Sequence, residues 1–92
     1  MPVSDGAGVA AEIEAIAASI GQGVAPDELE GRMRRVHDAV LALGREANQG
    51  RATSIALLVA ALRAGAPPHP GMAQKLLEVA ADLRQAAARE PA

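Results

Sequence analysis

The stretch GREANQGRAT, residues 44–53, lies in the middle of the chain and determines how many helices the fold contains. Its two glycines and following basic residue give it a superficial likeness to a phosphate-binding loop. A Walker-type loop needs four residues between its glycines, a lysine after the second glycine and a preceding strand. Here five residues separate Gly44 from Gly50, Arg51 follows, and the preceding pattern is helical. The sequence therefore indicates no nucleotide site.

Two structural interpretations of residues 44–53 compete. In the first, Gly44 ends a helix in the left-handed conformation, Asn48 tolerates the same conformation, and Thr53 or Ser54 caps the next helix. In the second, the heptad phase of the preceding helix continues to Leu57 and joins two helices into one rod. Each internal glycine of such a rod would cost about 1 kcal/mol relative to alanine. We favour the loop, which predicts four helices; the rod predicts three helices and a dimer that covers them.

Large apolar residues recur at the spacing i, i+4, i+7, i+11 in three segments, which predicts amphipathic helices. The residues are Val9, Ile13, Ile16 and Ile20; Leu29, Met33, Val36 and Val40, continued by Leu43; and Met72, Leu76, Val79 and Leu83. A fourth apolar segment, residues 55–62, is rich in alanine and leucine, which favour a helix. No segment alternates as a strand does.

Capping residues, glycines and prolines mark the ends of the predicted helices. Ser4 or Asp5 can cap the first helix, Pro26 suits the first position of the second, and Gly65 can end the third. We therefore predict an all-α fold, a single domain over residues 1–92 built as a small bundle of four short helices, near 8–20, 26–44, 54–64 and 70–88. Two similar corners, GVAP at residues 23–26 and GAPP at residues 65–68, lie about 42 residues apart and suggest two packed helical hairpins.

The residues that usually carry catalysis or hold metals are scarce. Cysteine and aromatic residues are absent. The only histidines are His37 and His69; Asp38, beside His37, points about 100° away on a helix, and His69 lies between prolines. No metal-binding spacing such as H-E-x-x-H occurs. We predict no catalytic residue, no cofactor, no metal site and no enzymatic activity.

The distribution of charge and apolarity predicts a soluble cytoplasmic protein. The longest uncharged apolar run, ATSIALLVAAL at residues 52–62, is much shorter than the roughly 20 residues that cross a bilayer. The first 20 residues carry Asp5, Glu12 and Glu14, where a signal peptide would be apolar.

Basic residues concentrate in one part of the chain. Residues 1–31 contain six acids and no base, whereas residues 32–51 contain five arginines. The densest cluster, Arg32, Arg34 and Arg35, could form a patch for phosphate or an acidic partner. We favour the alternative that these arginines form a solvated helix face that complements the acidic first helix. Without aromatic residues to stack on bases, recognition of single-stranded nucleic acid is disfavoured.

Three leucines lie away from the apolar stripes of their helices. At about 100° per residue, Leu41 lies roughly 100° from its stripe, Leu77 about 120°, and Leu57 nearly opposite its own. Bundle helices with wide apolar faces would explain them. The alternative is a second hydrophobic surface, formed by Leu41, Leu57 and Leu77, that binds another chain.

These patterns favour a small non-enzymatic protein-interaction module that self-associates, with a homodimer expected. We expect an adaptor, a regulatory subunit or a chaperone-like module. The alanine-rich hairpins with glycine and proline at their corners are generically similar to small helical-hairpin co-chaperones of bacterial secretion systems, without a motif that identifies one family. The alternative is a nucleic-acid-binding regulator that uses Arg32, Arg34 and Arg35. No membrane partner and no small-molecule substrate are indicated.

Overall fold

The computed structural model describes residues 5–89, which form four α-helices. Helix α1 spans Gly6–Gly21, α2 spans Pro26–Ala42, α3 spans Arg45–Arg63 and α4 spans Pro70–Arg89. No strand occurs between residues 5 and 89. The prediction of a small all-α bundle of four helices is confirmed. Ser4, a predicted cap, lies outside the described residues.

Capping side chains and glycines set the helix ends. The Asp5 Oδ1 atom accepts a hydrogen bond of 2.6 Å from the Gly8 backbone N–H and so caps α1, as the sequence predicts. Pro26 occupies the start of α2 and is followed by Asp27 and Glu28, whose charges suit the positive end of the helix dipole. The connection from α3 to α4 begins with Ala64 and Gly65, and Gly65 has φ +102°.

The chain turns at Leu43 and Gly44 alone, so the predicted loop over residues 44–53 is wrong. Gly44 has φ +144°, and α3 begins at the next residue, Arg45. Thr53 and Ser54 lie inside α3 and cap nothing. The alternative of one continuous rod is also wrong, because the backbone at Gly44 is not helical and α3 folds back against α2.

The helices form a ring in which neighbours run antiparallel. Helix α1 packs most extensively on α4, and α2 packs most extensively on α3; the α1–α2 and α3–α4 contacts are smaller. Contacts across the tight pairs show their direction: Glu30 of α2 meets Arg63 of α3, and Gly6 of α1 lies beside Ala87 of α4. The two predicted hairpins, α1 with α2 and α3 with α4, are therefore the loosely packed pairs.

One apolar core fills the bundle. The predicted stripes are buried, apart from Ile20 and Leu43, which are partly exposed against the core. The alanines Ala10, Ala17, Ala52 and Ala80 are buried too, and their small side chains leave room for closely packed helices. Within residues 5–89, no helix is long and apolar enough to cross a membrane.

Alanine substitutions at the two glycines of the central stretch should have opposite effects. Gly50 is exposed inside α3, and a Cβ atom there would meet no atom within 4 Å, so Gly50→Ala should raise the free energy of unfolding by about 0.5–1 kcal/mol. Gly44 has φ +144°, so Gly44→Ala should lower it by about 1–3 kcal/mol. Urea unfolding followed by circular dichroism measures both. Changes of the same sign would place the helix break elsewhere.

Candidate functional site

The C-terminal half of α3 carries no charge on any side between Arg51 and Arg63. Its inner side chains, from Ala52 to Leu62, enter the core. Its outward residues are Thr53, Ala56, Leu57 and Ala60, and all four are exposed. We call these four residues the α3 outer face. Leu57 is the most exposed large apolar side chain between residues 5 and 89, at 65%.

A groove between α2 and α3 adjoins this face. It has a volume of about 600 Å³. Its lining includes Ala56, Val59 and Ala60 on the α3 side and Arg34, His37 and the acidic Asp38 on the α2 side. Ala56 and Ala60 belong to both the groove and the α3 outer face. The two features therefore form one continuous surface, with an apolar floor and a charged edge.

Two arginines share one carboxylate at the edge of the groove. The Glu30 Oε2 atom accepts a hydrogen bond of 2.8 Å from Arg63 Nε and lies 3.3 Å from Arg34 Nε. Arg63 lies 33 positions from Glu30, so its place in this group follows from the packing of α3 on α2. Both arginine side chains keep 59% of their surface exposed. Each arginine can therefore donate a hydrogen bond to a further acceptor while it remains paired with Glu30.

The predicted arginine cluster is divided in space. On a helix, Arg35 is turned about 100° from Arg34, and Arg32 is turned about 200° from it. Arg34 contacts Glu30, whereas Arg32 and Arg35 form no ion pair with any residue from 5 to 89. The favoured expectation, that these arginines complement the acidic first helix, is not what the structure shows. The basic residue that pairs with α1 is Arg84 of α4.

The three off-stripe leucines do not share a surface. Leu41 is half-buried and packs against the core, so it needs no partner to cover it. Leu77 is 45% exposed and lies on the α1 side of α4, because Arg84, seven residues later and about 20° away, pairs with Glu14 of α1. Leu57 points away from the core. Only Leu57 belongs to the α3 outer face.

The two histidines occupy different settings. His37 Nδ1 lies 3.1 Å from Asp38 Oδ1, so these two side chains meet although neighbouring helix residues start about 100° apart. His69 Nδ1 accepts a hydrogen bond of 3.1 Å from the Gly71 N–H, which supports the first turn of α4. Between residues 5 and 89, no group of three or more histidine and acidic side chains is arranged to hold a metal ion.

A polar network that the sequence did not reveal joins the turn at Gly44 to α4. Asn48 is buried; its Nδ2 donates to the Gly44 carbonyl at 2.8 Å and its Oδ1 accepts from Arg51 Nη1 at 2.7 Å. Arg51 Nε then donates to Asp82 Oδ2 of α4 at 2.7 Å. The available signal was the spacing of Asn48, which lies four and seven residues before the buried Ala52 and Ile55.

The ion pair between α1 and α4 is bidentate. Arg84 donates from Nε at 2.8 Å and from Nη2 at 2.7 Å to the two Glu14 carboxylate oxygens. These hydrogen bonds lower the pKa of Glu14 and raise the pKa of Arg84. Because the pKa of the carboxyl is lowered in the folded state, the pair stabilises the fold above the ordinary pKa of 4.5 and loses this effect as the pH falls further. Solvent screens the exposed pair, so its contribution is small.

No protein-family model matches the chain, and no curated protein or solved structure is significantly similar to it. The geometry therefore defines the candidate site. It consists of the α3 outer face together with the α2/α3 groove and its edge of Arg34 and Arg63.

Proposed function

We propose that the protein is a small non-enzymatic interaction module that binds another protein chain, in the first instance a second copy of itself, through the α3 outer face. The observation that carries this proposal is the 65% exposure of Leu57 on a helix segment without charge. An exposed apolar patch with a polar border is typical of protein–protein interfaces. Burying Leu57 in such an interface is worth about 1.5–3 kcal/mol.

The border of the face supports the same function. Ala56 and Ala60 flank Leu57 with small side chains, which allow the backbone of a partner helix to approach closely. Arg34 and Arg63, held by Glu30, lie beside the groove and offer hydrogen-bond donors to polar groups at the edge of a partner. An adaptor, regulatory subunit or chaperone-like protein would use such a surface.

Leu57→Glu tests this proposal. A carboxylate at the centre of the α3 outer face would have to be desolvated on binding, so we expect at least a roughly tenfold loss of self-association. Helix content should be unchanged, because Leu57 does not enter the core. Sedimentation equilibrium over a wide range of concentrations measures the association, and circular dichroism measures the helix content.

Leu77→Glu is the matched control, because Leu77 is also exposed but lies on the α1 side of α4. It should leave the association constant unchanged. A wild-type chain that is monomeric at every concentration would refute self-association. Unfolding of the Leu57→Glu variant would show that Leu57 belongs to the core.

The alternative function, nucleic-acid binding through Arg32, Arg34 and Arg35, has less support. The helix turns these side chains in different directions, and Arg34 is engaged with Glu30. Together they present no continuous basic surface of the kind that follows a phosphate backbone.

A further inference from the structure

The chain connections between the two tight helix pairs lie at one end of the bundle. Because neighbours are antiparallel, the end of α1, the start of α2, the end of α3 and the start of α4 lie together. The connections at this end are residues 22–25 and 64–69, and they link the α1/α4 pair to the α2/α3 pair. We call this the hinge end.

Each of the two connections contains a glycine with a positive φ. Gly23 has φ +85° and Gly65 has φ +102°, and a Cβ atom at either position would meet no atom within 4 Å. Each glycine also ends a helix cap, in which the next N–H donates to a carbonyl of the preceding helix: Val24 to Ser19 at 3.1 Å and Ala66 to Ala61 at 3.0 Å. Because glycine tolerates many backbone angles, a rotation of one helix pair relative to the other at these positions breaks one cap hydrogen bond in each connection but meets no steric barrier.

One side-chain ion pair crosses between the two helix pairs within residues 5–89, and it lies far from the hinge end. This ion pair is Arg51–Asp82, at 2.7 Å. The other ion pairs between helices, Arg63–Glu30 and Arg84–Glu14, lie within the α2/α3 and the α1/α4 pair respectively. Arg51 and Asp82 are each 12 residues from the hinge-end terminus of their helix, or roughly 18 Å along it.

The contact between α3 and α4 at this ion pair is small. Helices α3 and α4 have the smallest contact of any neighbouring helices, and a groove of about 410 Å³ runs between them. Arg51 and Asp82 line this groove together with Val79, a core residue. The Arg51 side chain is only 17% exposed and is held from behind by Asn48, which keeps it directed at α4. Removing this ion pair leaves α3 and α4 without an ion pair between them within residues 5–89.

We propose that the bundle opens like a clamshell, with the α2/α3 pair rotating away from the α1/α4 pair about Gly23 and Gly65, and with Arg51–Asp82 as the latch. Opening widens the groove between α3 and α4 and exposes apolar side chains on the inner faces of these two helices. The motion is independent of binding at the α3 outer face, since Leu57 takes no part in it.

Distance measurements between spin labels test the opening. The chain has no cysteine, so Gln49→Cys and Gln85→Cys place labels on exposed sites of α3 and α4 on the latch side. Ala64→Cys and Gln74→Cys place a second pair near the hinge end. Double electron–electron resonance on the full chain then gives the two distance distributions, and circular dichroism verifies that each variant is folded.

Arg51→Ala should raise the fraction of molecules with a long distance between labels 49 and 85 about tenfold, because the charge-assisted hydrogen bond between Arg51 and Asp82 is lost. The distance between labels 64 and 74 should not change. The matched control is Arg63→Ala, which removes an ion pair within one helix pair and should leave both distributions as in the wild type.

The proposal is overturned if Arg51→Ala leaves the 49–85 distribution unchanged in a folded chain. It is equally overturned if both label pairs broaden together, since that result means general loosening instead of a hinge. A folded Arg63→Ala variant with the same long 49–85 component would show that Arg51–Asp82 is not the latch.

Discussion

Replacing Ile55 by alanine is expected to lower the free energy of unfolding by about 2–5 kcal/mol. Ile55 is fully buried in α3, and the bundle has no aromatic side chain that could move into the resulting cavity. A chain of this size has a total stability of about 5–14 kcal/mol, so one substitution removes a large share of it. The melting temperature should fall by about 10–25 °C.

Leu57→Ala is the matched control for Ile55→Ala, because it removes a similar side chain only two residues away on the same helix. At 65% exposure, Leu57 forms few contacts within its own chain, and its loss should change the free energy of unfolding by about 0.5 kcal/mol or less. Thermal and urea unfolding at low protein concentration, where association does not contribute, measure both. Equal losses for the two variants would show that Leu57 is part of the core.

Replacing Asn48 by alanine is expected to lower the free energy of unfolding by about 1–3 kcal/mol. The substitution removes the hydrogen bond to the Gly44 carbonyl and the acceptor that holds Arg51. Because Asn48 is buried, water cannot readily replace either interaction. The Asn48→Ala substitution should also weaken the contact between α3 and α4, because Arg51 loses the side chain that directs it toward Asp82.

The control for Asn48→Ala is Gln49→Ala, an exposed neighbour in the same turn of α3. It should be neutral or slightly stabilising, because alanine has the higher helix propensity. Hydrogen exchange locates the effect: in the Asn48→Ala variant, backbone amides in the first turns of α3 should lose more protection than those of α1. A loss spread evenly over all four helices, or no loss of stability, would contradict this role for Asn48.

The exposure of Leu57 could be predicted from the sequence, because it depends only on the angle between that residue and the buried stripe of its own helix. The same reasoning did not distinguish Leu41 from the exposed leucines. Leu41 lies at a similar angle to its stripe as Leu77, but Leu41 packs against the core whereas Leu77 is 45% exposed. How much surface a neighbour covers depends on which helices pack tightly, and the spacing along one helix carries no information about that.

The grouping of charged residues in space could not be predicted from the sequence either. Arg32, Arg34 and Arg35 are close in sequence, yet a helix turns them in different directions. Arg63 and Glu30, which complete the charged edge of the groove, are 33 positions apart, so only the packing of α3 on α2 brings them together. Sequence proximity on a helix therefore did not identify the charges that act as a group.

The four helices, their buried stripes and most of their ends could be read from the amino-acid sequence alone, because these features depend on local spacing, caps, prolines and glycines. Tertiary packing was needed to establish that the chain turns at Gly44 and is helical again from Arg45. Residues 45–53 combine glycine, asparagine and threonine, which have weak helix propensity. Their helix is stabilised by contacts with distant elements, namely the burial of Asn48 and Ala52 and the bond from Arg51 to Asp82. These long-range contacts outweigh the local preference for a loop.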